Sequence, residues 1–411
     1  MTAVMSNAPE SRPPQPGPLT SYEKIDICRG LFAFLVVAAH AIDISWVLHP
    51  EAPRAMPRWL HDLWLYVGAA GVYWVIGFFA ISGYCIQLSV ERQTRDGRFP
   101  LRNYLFARLS RILPLYYAAL ASAVFFEWLM ASARPDCWPN GLNLGTLGAQ
   151  LLVVQNLSQT FGSFAPSWSI TNEMCYYLFY GLIVFTALRW GVRPTMLGMT
   201  VCLALAIILE WVYFVHFRTD PVVRSAGLLF GLGTIWFQGA IVAEYREPIR
   251  ASRAARLISG LWPLVLALAI ALWYARAIHI QILYLILGAA FTLMLMRFAA
   301  VDPPGARTPD RGARSALIRA VGLASYPTYL FHGPLLMWLG SLMIRSGYVG
   351  HDWRLTWGVL TAVGITTGLI LGRAAERPLM AWRAGLLRRL KDAGPTREQA
   401  AGPRPILDVQ R

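Results

Sequence analysis

Charged residues are scarce in this sequence. Asp, Glu, Lys and Arg together make up 14% of the 411 residues, whereas soluble domains are typically about one-quarter charged. Hydrophobic residues make up 56% of the chain, and long apolar stretches recur from one end to the other. This composition excludes an ordinary soluble domain and predicts an all-α polytopic membrane protein.

Cysteine is also rare, and its five positions follow no metal-binding or redox spacing. Cys28, Cys85, Cys175 and Cys202 fall in apolar segments, and Cys137 stands alone in a predicted loop. We therefore expect neither a disulfide framework nor a metal site. No cleavable signal peptide is recognisable at the start of the sequence, where the residues are polar and rich in proline.

Ten apolar segments are long enough to cross a bilayer, which requires about 20 residues. The predicted spans are 28–48, 66–89, 112–132, 166–189, 196–216, 224–245, 257–276, 279–298, 322–345 and 355–373. The segment 144–157 is apolar but shorter, which favours an interfacial or re-entrant piece. The chain is thus predicted to comprise a disordered N-terminal tail (1–20), a transmembrane domain (21–380) and a cytoplasmic C-terminal tail (381–411).

Arginine is distributed unevenly among the connecting segments. It is abundant in 90–111, 246–256, 299–321 and the C-terminal tail, whereas 133–165 contains only Arg134. Because basic residues favour the cytoplasmic side, the arginine-rich segments and both termini are predicted to be cytoplasmic. The formal net charge of +15 is then explained by the arginines that set the membrane orientation, and we expect these arginines to interact with anionic membrane lipids. A soluble basic domain is lacking, which argues against nucleic-acid binding.

Two histidines lie in the middle of apolar spans. At 1.5 Å per residue, His40 lies roughly 16 Å deeper than Arg29 on the first span, near the bilayer midplane. Asp26 shares a helical face with Arg29, and Asp43 is three residues from His40, so each carboxylate can pair with its basic neighbour. His332 lies about half-way along the ninth span. The structural alternatives are a histidine that only packs between helices and an arginine that only anchors a helix end.

Arg108 and Arg111 lie three residues apart at the predicted cytoplasmic mouth of the third span. Two guanidinium groups on one face suit a phosphate-rich ligand, because each can bind phosphate through two hydrogen bonds. The alternative is that both arginines only set the topology.

Glu173 lies at the predicted outer start of the fourth span. A carboxylate there can bind a sugar hydroxyl or pair with a buried cation. The alternative is an acidic residue that only favours the helix dipole. Tyr326 and Tyr329 lie on the turns next to His332.

Six short elements follow one another along nearly the whole chain. They are KIDICRGLFAFLVVAAH (24–40), FFAISGYCI (78–86), RLSRILPLYY (108–117), WSITNE (168–173), YLFHGPLL (329–336) and ERPLM (376–380). In type and order they are similar to the elements of the membrane-bound acyltransferase 3 family, bacterial proteins that O-acylate glycans, lipids and some antibiotics. The family's usual Leu-Asp-Gly-Leu-Arg reads Ile-Asp-Ile-Cys-Arg here, with both charged positions kept.

The resemblance implies an inner-membrane O-acyltransferase. Such an enzyme moves an acyl group, usually acetyl, from cytoplasmic acyl-CoA to a hydroxyl of an envelope or exopolysaccharide glycan or glycolipid. The residues expected to be catalytic are His40, the general base, and Arg29, Asp43, Glu173 and His332. The residues expected to bind acyl-CoA are Arg29, Arg108, Arg111 and Tyr329. Ser82 is the nearest candidate nucleophile, and we interpret it as a packing residue.

Several alternatives remain open at the level of the sequence. Many relatives carry an extracytoplasmic SGNH-type hydrolase domain, whereas about 38 residues follow the tenth span here, so a stand-alone membrane unit is expected. The alternatives within the enzyme class are a succinyl or longer acyl group and, as acceptor, a glucan, a lipid or a macrolide-like molecule. A proton-coupled transporter with a histidine relay is the rival from another class, although no matching half-sequences are visible. The oligomeric state is open, and a homo-oligomer is compatible with the sequence.

The arginine distribution makes a testable prediction about topology. In a background without native cysteines, Ser132→Cys is expected to react with an impermeant maleimide on intact cells, and Thr308→Cys only after permeabilisation. Labelling of Thr308→Cys but not of Ser132→Cys on intact cells would invert the assignment.

Overall fold

The computed structural model describes residues 19–69, 71–94, 99–131, 138, 141–275, 277–278, 280–301, 312–348 and 352–392. Most of the predicted N-terminal tail, Cys137, and the end of the predicted C-terminal tail lie outside these residues.

Ten long helices, α1 to α10, and a final helix, α11, account for most of the described residues, which contain no β-strand. Their bounds are α1 Ser21–Leu48, α2 Gly71–Gln93, α3 Leu101–Met130, α4 Trp168–Trp190, α5 Pro194–His216, α6 Pro221–Glu244, α7 Trp262–Tyr274, α8 Ile280–Val301, α9 Ala313–Arg345, α10 Trp353–Leu371 and α11 Arg377–Asp392. The shorter helical segments are Ala52–Ala55, Arg58–Ala69, Leu144–Leu151, Gln155–Leu157, Gly162–Ser167, Arg246–Ala251, Arg253–Ser259 and Gly372–Glu376. The predicted all-α fold class is confirmed.

Eight helical stretches among the described residues are long and apolar enough to cross a membrane. α4 and α9 occupy the two remaining predicted spans, but they are less apolar than the others. Polar residues interrupt both helices, among them Glu173 in α4 and His332 in α9. Because polar residues within spans usually face a bundle interior or a cavity, we expect these two helices to contribute to a functional site.

α3 begins earlier than its apolar run predicts. The hydropathy pattern favours a span from residue 112, whereas the helix begins at Leu101. Its first three turns bury Tyr104, Ala107 and Ser110 against the rest of the bundle. Tertiary packing therefore stabilises the helix at residues that are too polar to be recognised as part of a span by hydropathy. Arg108 and Arg111 consequently lie within α3, about two and three turns after its first residue.

The segment before α4, which includes the predicted interfacial or re-entrant piece 144–157, packs against the helix bundle. Exposed leucines cover its outer side, whereas Gln150 is fully buried. The Tyr116 hydroxyl, half-way along α3, donates hydrogen bonds to the Gln150 backbone oxygen at 2.8 Å and to its side-chain oxygen at 2.6 Å. Further along, the Ser163 amide donates to the Glu127 carboxylate at 2.5 Å. These contacts fix the start of α4 inside the protein.

α2 and α6 approach each other closely at two glycines. A Cβ atom on Gly83 would lie 1.8 Å from the backbone oxygen of Trp236, and one on Gly239 would lie 1.9 Å from that of Ala80. Only glycine fits at such a crossing, and small residues at helix interfaces are common in membrane bundles. The crossing sets the position of Trp236, which contacts the site described below.

This crossing predicts a strong effect of Gly83→Val on stability. The added side chain must push α2 and α6 apart, so we expect a loss of more than the ~1–3 kcal/mol typical of overpacking, seen as a lower melting temperature in detergent. The matched control is Gly358→Val on α10, where an added Cβ meets no atom within 4 Å. Equal melting temperatures for the two variants would contradict the close crossing.

Candidate active site

A cavity of about 200 Å³ lies between α1, α2, α3, α4 and α9. Three arginines line it together with a carboxylate and several hydroxyl groups. The residues on which its chemistry depends are Arg29, Ser82, Arg108, Arg111, Glu173, Tyr177 and Tyr329. Five helices thus bring together most of the candidate site residues predicted from the sequence.

α1 contributes Arg29, which is held beside a carboxylate. The Arg29 guanidinium lies 3.9 Å from Asp26, three residues earlier on the same helix. α9 packs closely against this turn, because a Cβ on Gly322 would lie 2.6 Å from Asp26 and one on Gly30 would lie 2.1 Å from Val321. The ion pair expected from the sequence spacing is present, and it is partly exposed to the cavity.

The two α3 arginines differ in their partners. Arg108 donates a hydrogen bond of 2.5 Å to the Ser89 hydroxyl, and its guanidinium lies over the Tyr104 ring, 5.4 Å from the ring centroid. Within the described part of the chain, Arg111 has neither a hydrogen bond nor an ion pair shorter than 4 Å, although Asp26 and Glu376 are close enough to interact with it electrostatically. A guanidinium with unused donors at a cavity wall is suited to bind an anionic ligand.

Glu173 belongs to a hydroxyl network in the same cavity. Its carboxylate accepts a hydrogen bond of 2.9 Å from Ser82 and a short one from Tyr177. The Trp236 indole donates in turn to Ser82 at 3.2 Å. Glu173, which the sequence predicts at the outer start of its span, thus lies in the same cavity as Arg29, Arg108 and Arg111. The segment before α4 enters the bundle, and this places the first turns of α4 beside Arg29, Arg108 and Arg111.

Ser82 is more than a packing residue, which is how we interpret it from the sequence alone. Its hydroxyl connects α2 with Glu173 and Tyr177 of α4 and with Trp236 of α6. Ser82 is 91 residues from Glu173 and 154 residues from Trp236 in the chain. A local sequence pattern cannot reveal hydrogen bonds between residues so far apart.

Glu376 and Arg383 are further charged residues that the sequence analysis did not single out. Glu376 is 1% exposed and lies close enough to Arg29, Arg111 and Arg383 to interact electrostatically. Arg383 donates two hydrogen bonds, of 3.0 and 2.7 Å, to the backbone oxygen of Ala107 in α3. Glu376 is the first residue of the ERPLM element (376–380), which is the sequence signal that marks it. The predicted start of the C-terminal tail at 381 falls within α11.

His40 and His332 face each other beyond the cavity wall, with ring centroids 5.0 Å apart. The Nδ1 atom of His40 lies 2.9 Å from the Val36 backbone oxygen, and that of His332 lies 2.7 Å from the Tyr329 backbone oxygen. Because a carbonyl oxygen only accepts hydrogen bonds, each Nδ1 carries the proton. In the neutral imidazole the Nε2 atom then has a free lone pair, so each ring can act as a base through Nε2.

Asp43 and His332 differ in their surroundings. Asp43 is exposed and makes no hydrogen bond to His40, whose Nδ1 contacts Val36 instead. His332 is 1% exposed, and its buried Nε2 has no hydrogen-bond partner within the described residues. A buried acceptor without a donor is costly, so this atom is suited to a partner that arrives during function.

Tyr329 separates the arginine-lined cavity from the histidine pair. Its ring centroid lies 6.1 Å from that of Phe78 and 5.9 Å from that of His332. Its hydroxyl donates to the Pro166 backbone oxygen at 2.6 Å and lies 2.7 Å from the Ser169 hydroxyl. Tyr329 therefore lines the cavity and contacts His332 at the same time.

The fold and this cavity define a polytopic membrane protein in which an arginine-lined cavity lies beside a pair of histidines. The family model described as "Acyltransferase domain" matches residues 22–373. The chain therefore belongs to the acyltransferase 3 family and is a membrane acyltransferase. A Rhizobium radiobacter protein called "Protein 2 in picA locus" is 27% identical over 153 residues, which cover 34% of this chain and 76% of that protein. No solved structure matches the chain.

Proposed function

We propose that this acyltransferase moves an acetyl group from acetyl-CoA to a hydroxyl group of an envelope glycan. The observation that carries the proposal is the juxtaposition of an arginine-lined cavity with two histidines whose Nε2 atoms are free to take a proton. Membership of the acyltransferase 3 family supports the reaction type. The identities of the transferred group (acetyl), the donor (acetyl-CoA) and the acceptor (a glycan) are what we propose.

The cavity is suited to the phosphates of CoA. Arg29, Arg108 and Arg111 bring three positive charges to its wall, and Arg383 lies close to the two α3 arginines. The carboxylates around them are Asp26, Glu173 and Glu376. Four positive and three negative charges leave one positive charge that an anionic ligand can neutralise, and guanidinium groups bind phosphate through two parallel hydrogen bonds. Acyl-CoA would lie with its phosphates at the arginines.

The thioester would then extend toward the histidines. Arg29 and His40 are eleven residues apart on α1, a rise of roughly 16 Å, which the flexible pantetheine arm can cover. The rings of Phe78 and Tyr329 lie across this route. Binding of the donor is therefore expected to move the Tyr329 ring and to release its hydroxyl from Pro166 and Ser169.

His40 would act as the general base. Its Nε2 takes the proton of the acceptor hydroxyl as the hydroxyl oxygen attacks the thioester carbonyl carbon. The new C–O bond forms, the C–S bond breaks, and the proton passes from His40 to the departing CoA sulfur. While His40 carries both protons, the unpartnered Nε2 of His332 can accept a hydrogen bond from it, and the Asp43 carboxylate one turn away favours the positive charge.

The role of His40 makes a direct prediction. His40→Ala is expected to lower acetyl transfer by ~10²–10⁴-fold, as is typical for loss of a general base, while the protein still accumulates in the membrane. The measurement is transfer from radiolabelled acetyl-CoA by purified protein. His216→Ala, at the exposed end of α5, is the matched control and should transfer normally. A His40→Ala enzyme that keeps one-tenth or more of wild-type turnover would refute the assignment.

The role of the α3 arginines makes a second prediction. Arg108→Ala and Arg111→Ala should each weaken acyl-CoA binding by ~1.5–3 kcal/mol, or roughly ten- to over one-hundredfold in Kd. Arg111→Lys should recover only part of the loss, because an ammonium group cannot make the paired hydrogen bonds. Arg189→Ala on α4, whose guanidinium lies over the Phe185 ring, removes an arginine that does not line the cavity. If calorimetry gives all these variants the same Kd, the α3 arginines serve topology alone.

A further inference from the structure

A second cavity, of about 330 Å³, lies between α5, α6 and α8. Its volume is within the range of small-molecule binding sites. Most of the wall is aliphatic, and the charged residue in it is Glu210 of α5. The proposed acyl transfer uses none of these residues.

The opening of this cavity faces the surroundings of the helix bundle. The rim residues Leu203, Ile207 and Leu285 are exposed, and α5 buries only three of its residues, Thr195, Gly198 and Cys202. Since the chain spans the membrane, the medium next to these leucines and isoleucines is lipid. A ligand would therefore enter sideways from the bilayer and would need a hydrocarbon part.

Glu210 indicates what the polar part of such a ligand must offer. The described part of the chain supplies its carboxylate with one hydrogen-bond donor, the Gln281 amide. A carboxylate accepts several hydrogen bonds, and a charge in an apolar span is costly unless it is paired. The site is therefore complementary to a small cation with several N–H donors.

α6 carries a positive charge one helical turn away from its contact with this carboxylate. A Cβ on Gly227 of α6 would lie 3.2 Å from the Glu210 carboxylate. Arg224 is three residues before Gly227 and so lies on the same face of α6. It interacts electrostatically with Tyr284, which lines the cavity together with Glu210. The carboxylate of α5 and the guanidinium of α6 thus bring opposite charges to the same end of the cavity.

We propose that this cavity binds phosphatidylethanolamine. An acyl chain fills the aliphatic part, the ammonium group donates hydrogen bonds to Glu210, and the phosphate binds Arg224. The two charges of this headgroup are joined by a two-carbon link and match the opposite charges of the protein. A choline headgroup has no N–H donors, and a glycerol headgroup has no cation, so neither satisfies Glu210 in the same way.

The test uses purified protein in lipid nanodiscs with phosphatidylethanolamine that carries a photoactivatable acyl chain. The wild type should be labelled on α5, α6 or α8, and more strongly than by phosphatidylcholine with the same chain. Gly231→Leu should abolish most of this labelling, because a Cβ on Gly231 meets no atom within 4 Å and the leucine would fill the cavity without disturbing the fold. Gly358→Leu on α10, where the space is equally open, is the matched control and should be labelled like the wild type.

The headgroup contact is tested separately. Glu210→Gln keeps the shape of the side chain, removes its charge and should weaken phosphatidylethanolamine binding by about tenfold, so that the preference over phosphatidylcholine disappears. Equal labelling of the wild type by the two lipids would overturn the proposal, and so would labelling of Gly231→Leu at the level of Gly358→Leu. Acetyl transfer is measured independently, so neither result depends on the proposed function.

Discussion

The cost of holding several guanidinium groups inside a membrane-spanning helix bundle is the constraint on which the rest of this structure depends. Arginine is among the most expensive residues to place within a membrane unless it is paired or faces a polar cavity. Here Asp26 and Glu376 partly balance Arg29 and Arg111, and the remaining positive charge faces a cavity. The site is thus prepared for an anion before any ligand arrives, which reduces the reorganisation that binding requires.

Close helix packing makes this arrangement of charges feasible. Gly322 lets α9 approach Asp26, and the crossing at Gly83 and Gly239 brings α6 near enough for Trp236 to contact Ser82. In a bilayer, tight packing and interhelical hydrogen bonds replace the hydrophobic effect as the force between helices. The same contacts therefore stabilise the bundle and position the hydroxyl groups around the cavity.

Much of the fold could be predicted from the sequence, because apolar runs of about 20 residues are a strong indication of membrane spans. The pairing of Arg29 with Asp26 also follows from local spacing. The location of Glu173 could not be predicted, since it depends on long-range contacts such as Tyr116 with Gln150 that draw the preceding segment into the bundle. The start of α3 at Leu101 could not be predicted from hydropathy, because packing within the bundle holds its first turns.

The most direct test of the central claim is an experimental structure of the protein with bound acetyl-CoA. We expect the phosphates of the donor to contact Arg108 and Arg111, the Tyr329 ring to have moved aside, and the thioester sulfur to lie beyond it, within reach of the Nε2 atom of His40. Phosphates bound away from these arginines, or a thioester directed away from the histidine pair, would contradict the account.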